Sequence, residues 1–367
     1  MNRKIPVAKP NFGKEEETAV KEVLQSGMLA SGQRTKLFEK EFAEYIGVEH
    51  AVAVTNGTIA LDVALKVLKL DPGDEVITSA FSFVASGNCI LFQDAKPVFA
   101  DIDPRTFNID PSDVAEKITA KTKAIIPIHI FGQPANMDAL REIAEDKGIA
   151  LVEDAAQAHG AEYKGVKAGS IGDIACFSFY ATKNMTSGEG GMITTNDKKL
   201  AGDVRLLINH GQSQKYHHDT LGYNYRMTEL CAAIGSVQLK KLGGFNEKRL
   251  ENAMLLSNGI RKFQGLTPPY MMNDLKHVFH QYVVKVEDDY PLSRDNLAER
   301  LAEKGVGVAV HYPIPIYRQQ LYRELGYGET MCPYTEEACE KVLSLPVHPL
   351  VSRNDIKYMS DVLKNIF

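Results

Sequence analysis

The stretch Cys176-Phe177-Ser178-Phe179-Tyr180-Ala181-Thr182-Lys183-Asn184-Met185-Thr186-Ser187-Gly188-Glu189-Gly190-Gly191 sets a single lysine in a loop of small residues between two apolar runs. The run 174–179 predicts a buried strand, and Gly190-Gly191 leads into a second one at 192–195. A lysine held among apolar and small residues loses hydration, which lowers its pKa and frees its amine for Schiff-base chemistry. Taken alone, a loop lysine is far more often a solvated one, so the rest of the chain must decide. The glycines do not open a helix after a strand, which excludes a dinucleotide-binding loop.

Outward from this loop, strand-like runs recur at 51–55, 75–78, 97–100, 124–130 and 150–153. Helical segments separate several of them, such as one that starts at Asp138, buries Leu140, Ile143 and Ala144, and stops at Gly148. An earlier helix closes at Gly27, and the next is capped by Thr35, carries Phe38, Phe42 and Tyr45 on one face and ends at Gly47. Alternating strands and helices with continuous apolar strands imply an α/β fold, a mostly parallel sheet covered on both faces. Ligands collect beyond the carboxyl ends of such strands. That rule draws together Asn56-Gly57-Thr58, Phe81-Ser82-Phe83, Asp154-Ala155-Ala156-Gln157 and the lysine loop. After the helix with Leu230, Ala233, Ile234 and Val237, the Leu242-Gly243-Gly244 break marks passage to a smaller α+β domain, giving units 1–243 and 244–367. In the second unit 281–287 and 306–310 read as strands. Ser293 caps a helix burying Leu297 and Leu301, and Ile356, Met359, Leu363 and Ile366 stripe the last helix.

At 367 residues and 44% hydrophobic, the chain can bury a full core without disulfide staples. A formal charge of −5 and the lack of a long basic run argue against nucleic acid or an anionic membrane as main partner. There is no span-length apolar stretch, and the first residues are not followed by a signal-peptide core, so a cytoplasmic location is expected. Five cysteines without a C-x-x-C pair fit reduced core thiols, and no metal is expected.

Asp154 ends its strand at the carboxyl edge, where a lone carboxylate needs water or a cation. A strand, a small-residue turn and a helix start at Asn56-Gly57-Thr58 make an anion site, although a plain tight turn reads equally well in isolation. A pyridoxal phosphate site needs a lysine for the aldehyde, a carboxylate for the ring nitrogen, phosphate donors and an aromatic plate. All four occur in order along this chain.

The chain resembles the DegT/DnrJ/EryC1/StrS sugar aminotransferases, a branch of the fold-type I pyridoxal-phosphate enzymes. The resemblance rests on Asn56-Gly57-Thr58-Ile59-Ala60-Leu61, Phe81-Ser82-Phe83-Val84-Ala85, 153–161, the lysine stretch, Asn209-His210-Gly211, 222–227 and His311-Tyr312-Pro313. It implies that Lys183 bonds the cofactor aldehyde, Asp154 pairs with the pyridine nitrogen, Gln157 with the ring hydroxyl, and Phe83 stacks on the ring. Gly57, Thr58 and Ser178 would hold the phosphate, together with Asn224 from a second subunit of a homodimer with shared sites. His159 reads either as a support behind the aspartate or phosphate or as a core histidine. Arg226 and His311 fall where the family meets its nucleotide-sugar, Arg226 reading equally as a structural salt bridge. The family implies amination of a keto nucleotide-sugar with L-glutamate as donor. The Gly188-Glu189-Gly190-Gly191 form resembles members acting at C4 of a 4-keto-6-deoxy sugar. A 3-keto sugar, a keto-cyclitol and a non-catalytic binding module are the alternatives.

Overall fold

A computed structural model describes residues 3–366. Its centre is a seven-stranded sheet of β1 (His50–Val54), β2 (Glu75–Ser79), β3 (Lys96–Ala100), β4 (Thr122–Ile126), β5 (Ala150–Asp154), β6 (Ile174–Ser178) and β7 (Gly191–Thr195). The spatial order is β1-β7-β6-β5-β4-β2-β3. Strands β3, β2, β4, β5 and β6 are parallel, whereas β7 runs antiparallel to both β6 and β1. The lysine loop therefore joins two antiparallel neighbours and protrudes from the carboxyl edge of β6.

All five residues of β6 are buried, because helices cover both sheet faces. Ala175 and Phe177 pack with Phe38 and Phe42 of the Gln33–Ile46 helix, while Ile174 and Cys176 meet Leu61 and Leu65 of the Gly57–Val67 helix on the other side. Register aligns the strand ends: Val54 lies opposite Gly191, Gly191 opposite Ser178, and Asp154 beside Cys176. A side chain at 191 would not fit, since a Cβ there would stand 2.4 Å from the Asn56 carbonyl oxygen. This packing brings the Asn56 turn, Ser178 and Asp154 to one edge.

The second unit holds an antiparallel sheet of Leu266–Thr267, Tyr282–Val286 and Val342–Leu345. It packs against the Arg294–Glu303 and Arg353–Lys364 helices, with Leu297, Leu301, Ile356, Met359, Leu363 and Ile366 in one core. Ser293 caps its helix as expected, accepting from the Asn296 N–H. Met1, Asn2 and Phe367, at the outer ends of the two expected units, lie outside the described residues.

Three local expectations are corrected. Gly243-Gly244 does not break the chain, because a 32-residue helix, Glu229–Ile260, runs through both glycines. Each glycine costs about 1 kcal/mol of helix propensity, and flanking Leu242 and Phe245 offset this by burial. Leu239 and Leu242 belong to the core beneath the large sheet, and Ala253, Leu256 and Ile260 to the other core, so the helix ties the two together. We propose that the boundary between the two units falls within this helix and not in a linker. Second, Thr35 is not the cap of its helix, whose N-cap is Gly32. Glu229 does the capping across 194 residues of sequence: its carboxylate accepts from the N–H groups of Gly32, Arg34 and Thr35 and from Thr35 Oγ1, each at 2.8 Å. Third, 306–310 forms no ladder. Val306 and Ala309 make single bridges to Ile5 and Ser344, so the N-terminal arm is stitched to the second core.

Candidate active site

A cavity of 1080 Å³ opens beyond the carboxyl edge of the sheet. Gly57, Thr58, Phe83, Asp154, Gln157, Ser178, Lys183 and His311 all line it. Asn224, Arg226 and His159 do not.

The phosphate-type end follows from helix geometry. Asn56 caps the Gly57–Val67 helix, its Oδ1 accepting from Ile59 N–H at 2.9 Å and its carbonyl from Ala60 N–H at 3.1 Å. The N–H groups of Gly57 and Thr58 are left without protein acceptors among the described residues, at the positive end of the helix. Ser178 Oγ lies against them. A Cβ on Gly57 would come 2.6 Å from Ser178 Cβ, so glycine is what lets the helix start approach this closely. The result is a compact cradle of donors suited to an oxyanion.

Asp154 is buried at the end of β5. Its Oδ2 accepts from Ser86 Oγ at 2.9 Å and its Oδ1 from Ala156 N–H at 3.1 Å, yet it forms no ion pair among the described residues. Burial pushes its pKa up, opposed by Ser86, the Ala156 N–H and the Lys183 charge. Lys183 is pushed down to about 8, again by burial, with Asp154 opposing. Its Nζ makes no hydrogen bond or ion pair among the described residues, so the amine is unencumbered. Gln157 accepts from Phe131 N–H through Oε1 at 2.8 Å and donates from Nε2 to Tyr312 Oη at 3.3 Å. Phe83 remains 57% exposed at the mouth, its ring 6.4 Å from that of Tyr312. His311 Nδ1 bonds Ser344 Oγ at 2.9 Å, and burial pushes its pKa down to about 4.

A carboxylate buried without a cation, a dehydrated lysine and a cradle of free donors at the walls of one cavity are what a phosphorylated pyridine aldehyde requires. These residues fit pyridoxal phosphate. Residues 10–364 match the model of the DegT/DnrJ/EryC1/StrS aminotransferase family. The chain belongs to that family. A member so placed is a pyridoxal-phosphate-dependent sugar aminotransferase. Family relatives include the spore coat polysaccharide biosynthesis protein SpsC of Bacillus subtilis, 39% identical over all of this chain and 97% of its own. The dTDP-3-amino-3,4,6-trideoxy-alpha-D-glucose transaminase of Streptomyces venezuelae is 37% identical over 95% of this chain and 91% of its own. The crystal structure of DesV from S. venezuelae superposes with a TM-score of 0.92 at 37% identity, covering 96% of this chain and 94% of that one. The α/β architecture expected for this family is thereby shown.

The three residues outside the cavity are informative. Asn224 is exposed, its backbone bridged to Asn209, and it is not among the residues lining its own chain's cavity. Arg226 is turned away: its Nη1 donates to Asn209 Oδ1 and its backbone bridges Val54. His159 is buried between the rings of Phe177 and Phe179, at 5.5 and 5.7 Å, with the Ser178 backbone beside its ring. Burial pushes its pKa down to about 3, which favours the neutral imidazole.

Several wall residues escape a reading of spacing alone. Ser86 holds Asp154, and His280 and Gln281 line the cavity just before the Tyr282–Val286 strand. Glu153 is wholly buried on the opposite side of β5. It accepts from His129 Nε2 at 2.9 Å and from the N–H groups of Gly169, Ile171 and Gly172. His129 Nδ1 accepts from Ala135 N–H, which leaves Nε2 as the donor. The only hint was two adjacent acids ending a buried strand, where alternation sends one to each face. No helix is long and apolar enough to cross a membrane, and no cluster of metal-ligating residues occurs among the described residues.

Proposed function

We propose that this aminotransferase moves the amino group of L-glutamate to C4 of a 4-keto-6-deoxy nucleotide-sugar. The observation that carries the cofactor assignment is Asp154, a buried carboxylate that, among the described residues, has no ion pair and faces the same cavity as the Lys183 amine, itself without a hydrogen-bond partner there. In this reading Gly57, Thr58 and Ser178 hold the phosphate, Asp154 the ring nitrogen, Gln157 the ring hydroxyl, and Phe83 covers the ring. Bound there, pyridoxal phosphate supplies an electron sink that makes the carbon bearing the amino group acidic. Lys183 acts as the proton carrier: with a pKa near 8, its Nζ accepts a proton from one carbon and returns it to another close to neutral pH. Asp154 keeps its negative charge by gaining a cationic partner.

The Gly188-Glu189-Gly190-Gly191 form of the lysine loop, whose Glu189 lines the cavity, resembles members acting at C4 and motivates that assignment. A 3-keto substrate is the second reading, supported by the 3-amino sugar for which the S. venezuelae transaminase is named. We further propose a homodimer in which Asn224 of each chain completes the partner's phosphate cradle, because that residue is exposed and does not line its own chain's cavity. A panel of 3-keto and 4-keto nucleotide-sugars offered with glutamate, with products assigned by mass and NMR, tests the substrate. Amination only at C3 removes the C4 reading. For the dimer, mixing Lys183→Ala with Asn224→Ala subunits restores activity if sites are shared; no recovery in verified heterodimers refutes sharing.

A further inference from the structure

Behind the cavity wall, a chain of hydrogen bonds fixes the state of one imidazole. The His159 carbonyl can only accept, so Asn246 must turn its Nδ2 toward it, at 2.8 Å. Asn246 Oδ1 then faces Asn184, the residue after the lysine, and accepts from Asn184 Nδ2 at 2.9 Å. The Val278 carbonyl accepts from the same Nδ2 at 2.9 Å. With its amide oriented twice over, Asn184 has only Oδ1 left to offer His280 Nδ1 at 3.3 Å. His280 Nδ1 therefore carries the hydrogen, and Nε2 carries the lone pair. His280 lines the cavity, and its Nε2 has no protein partner among the described residues. Arg249 locks the segment from behind, donating from Nη1 to the carbonyls of Phe279 and His280.

We propose that His280 Nε2 accepts a hydrogen bond from the sugar hydroxyl on the carbon next to the keto group, and so selects keto sugars that retain it. The inference rests on the aminotransferase reading and deepens it. The keto carbon must come within reach of Lys183, which lines the same cavity as His280 and directly precedes the Asn184 that holds it. The neighbouring hydroxyl is the donor closest to that carbon. The amino donor carries instead a carboxylate next to its reacting carbon, which has no hydrogen for a lone pair. Burial and the nearby charges of Lys183 and Arg249 hold the imidazole neutral, which keeps Nε2 an acceptor.

The test uses holoenzyme with uridine- and thymidine-diphosphate 4-keto-6-deoxyglucose and their 3-deoxy analogues. For the native protein, the hydroxylated sugar is favoured in kcat/KM, and its aminated product in calorimetric binding, by roughly five- to tenfold, the value of one neutral hydrogen bond. In His280→Asn, whose amide reaches the Nδ1 position but not Nε2, this ratio falls to about one. In His280→Gln, which places an acceptor near Nε2, part of it returns. A native protein that does not distinguish the two sugars in rate or binding overturns the proposal whatever the variants do, as does an unchanged ratio in His280→Asn. Loss of the visible absorbance expected of the pyridoxal-phosphate-loaded protein, on adding glutamate alone, separates the two levels. If that loss does not occur, the aminotransferase reading is at fault; if it occurs without sugar discrimination, only the role of His280 falls.

Discussion

Replacing Gly57 with alanine tests how the phosphate end is built. The backbone at Gly57 is ordinary for a first helical residue, so the substitution adds a methyl group and no torsional strain. That methyl carbon would stand 2.6 Å from Ser178 Cβ and 3.1 Å from Ser178 Oγ. Carbon atoms pack at about 3.5–4.0 Å, so the helix start and Ser178 must separate by roughly 1 Å. Overpacking of this size costs about 1–3 kcal/mol. The separation pulls the free N–H groups of Gly57 and Thr58 away from Ser178 Oγ. Losing one charge-assisted hydrogen bond to a phosphate is worth about 1.5–3 kcal/mol, so pyridoxal phosphate should bind about 10- to 100-fold more weakly. The assay is a spectroscopic titration of the apo protein with pyridoxal phosphate and, in parallel, with pyridoxal. Weakening confined to the phosphorylated ligand is expected. Equal weakening of both ligands, or native affinity for pyridoxal phosphate, would refute the cradle.

Other expectations follow from single features. Lys183 should react with an amine-directed reagent in the apo protein with a midpoint at about pH 8, because the reactive free amine forms as pH rises through its depressed pKa. Asp154→Asn should move that midpoint lower, since the Asp154 charge is what holds it up; an upward move contradicts the assignment. Gly243→Ala with Gly244→Ala should raise stability by about 1–2 kcal/mol in denaturant melts, as a Cβ at either site meets nothing within 4 Å. Glu229→Ala should cost about 2–3 kcal/mol by stranding the N–H groups it caps. Burial alone would push the Glu229 carboxyl up, but those N–H groups and Thr35 hold it below its ordinary value. Its contribution is present above the unfolded pKa and lost as pH falls through the lower folded one, so the difference between native and Glu229→Ala should shrink in acid melts.

The parts of the site legible in the sequence are those written by local rules. The apolar run 174–179 and the Asn56-Gly57-Thr58 turn follow from periodicity and capping, and each lies where expected. Asp154 and Lys183 were visible as polar residues ending or leaving buried strands. The features that escaped depend on contacts between distant segments. Glu229 caps a helix nearly two hundred residues away, and no spacing signals it. His280 is poised by carbonyls at 159 and 278, which have no side-chain signature. The two glycines in the long helix look like a break because propensity is local, whereas burial of Leu242 and Phe245 on either side decides the outcome. Arg226 was expected at the cavity mouth, but it turns to Asn209 because its backbone is bridged to β1.

The central claim is that this chain carries nitrogen from an amino acid to a keto sugar through the cavity that holds Lys183. Incubation with [15N]glutamate and a 4-keto-6-deoxy nucleotide-sugar, followed by mass and NMR analysis of the nucleotide product, measures it directly. One 15N atom on C4 of the sugar, matched by one equivalent of 2-oxoglutarate and absent with Lys183→Ala, is the expected result. Label on the sugar with Lys183→Ala at the native rate, or 2-oxoglutarate formed without labelled sugar across the whole 3-keto and 4-keto panel, would contradict the account.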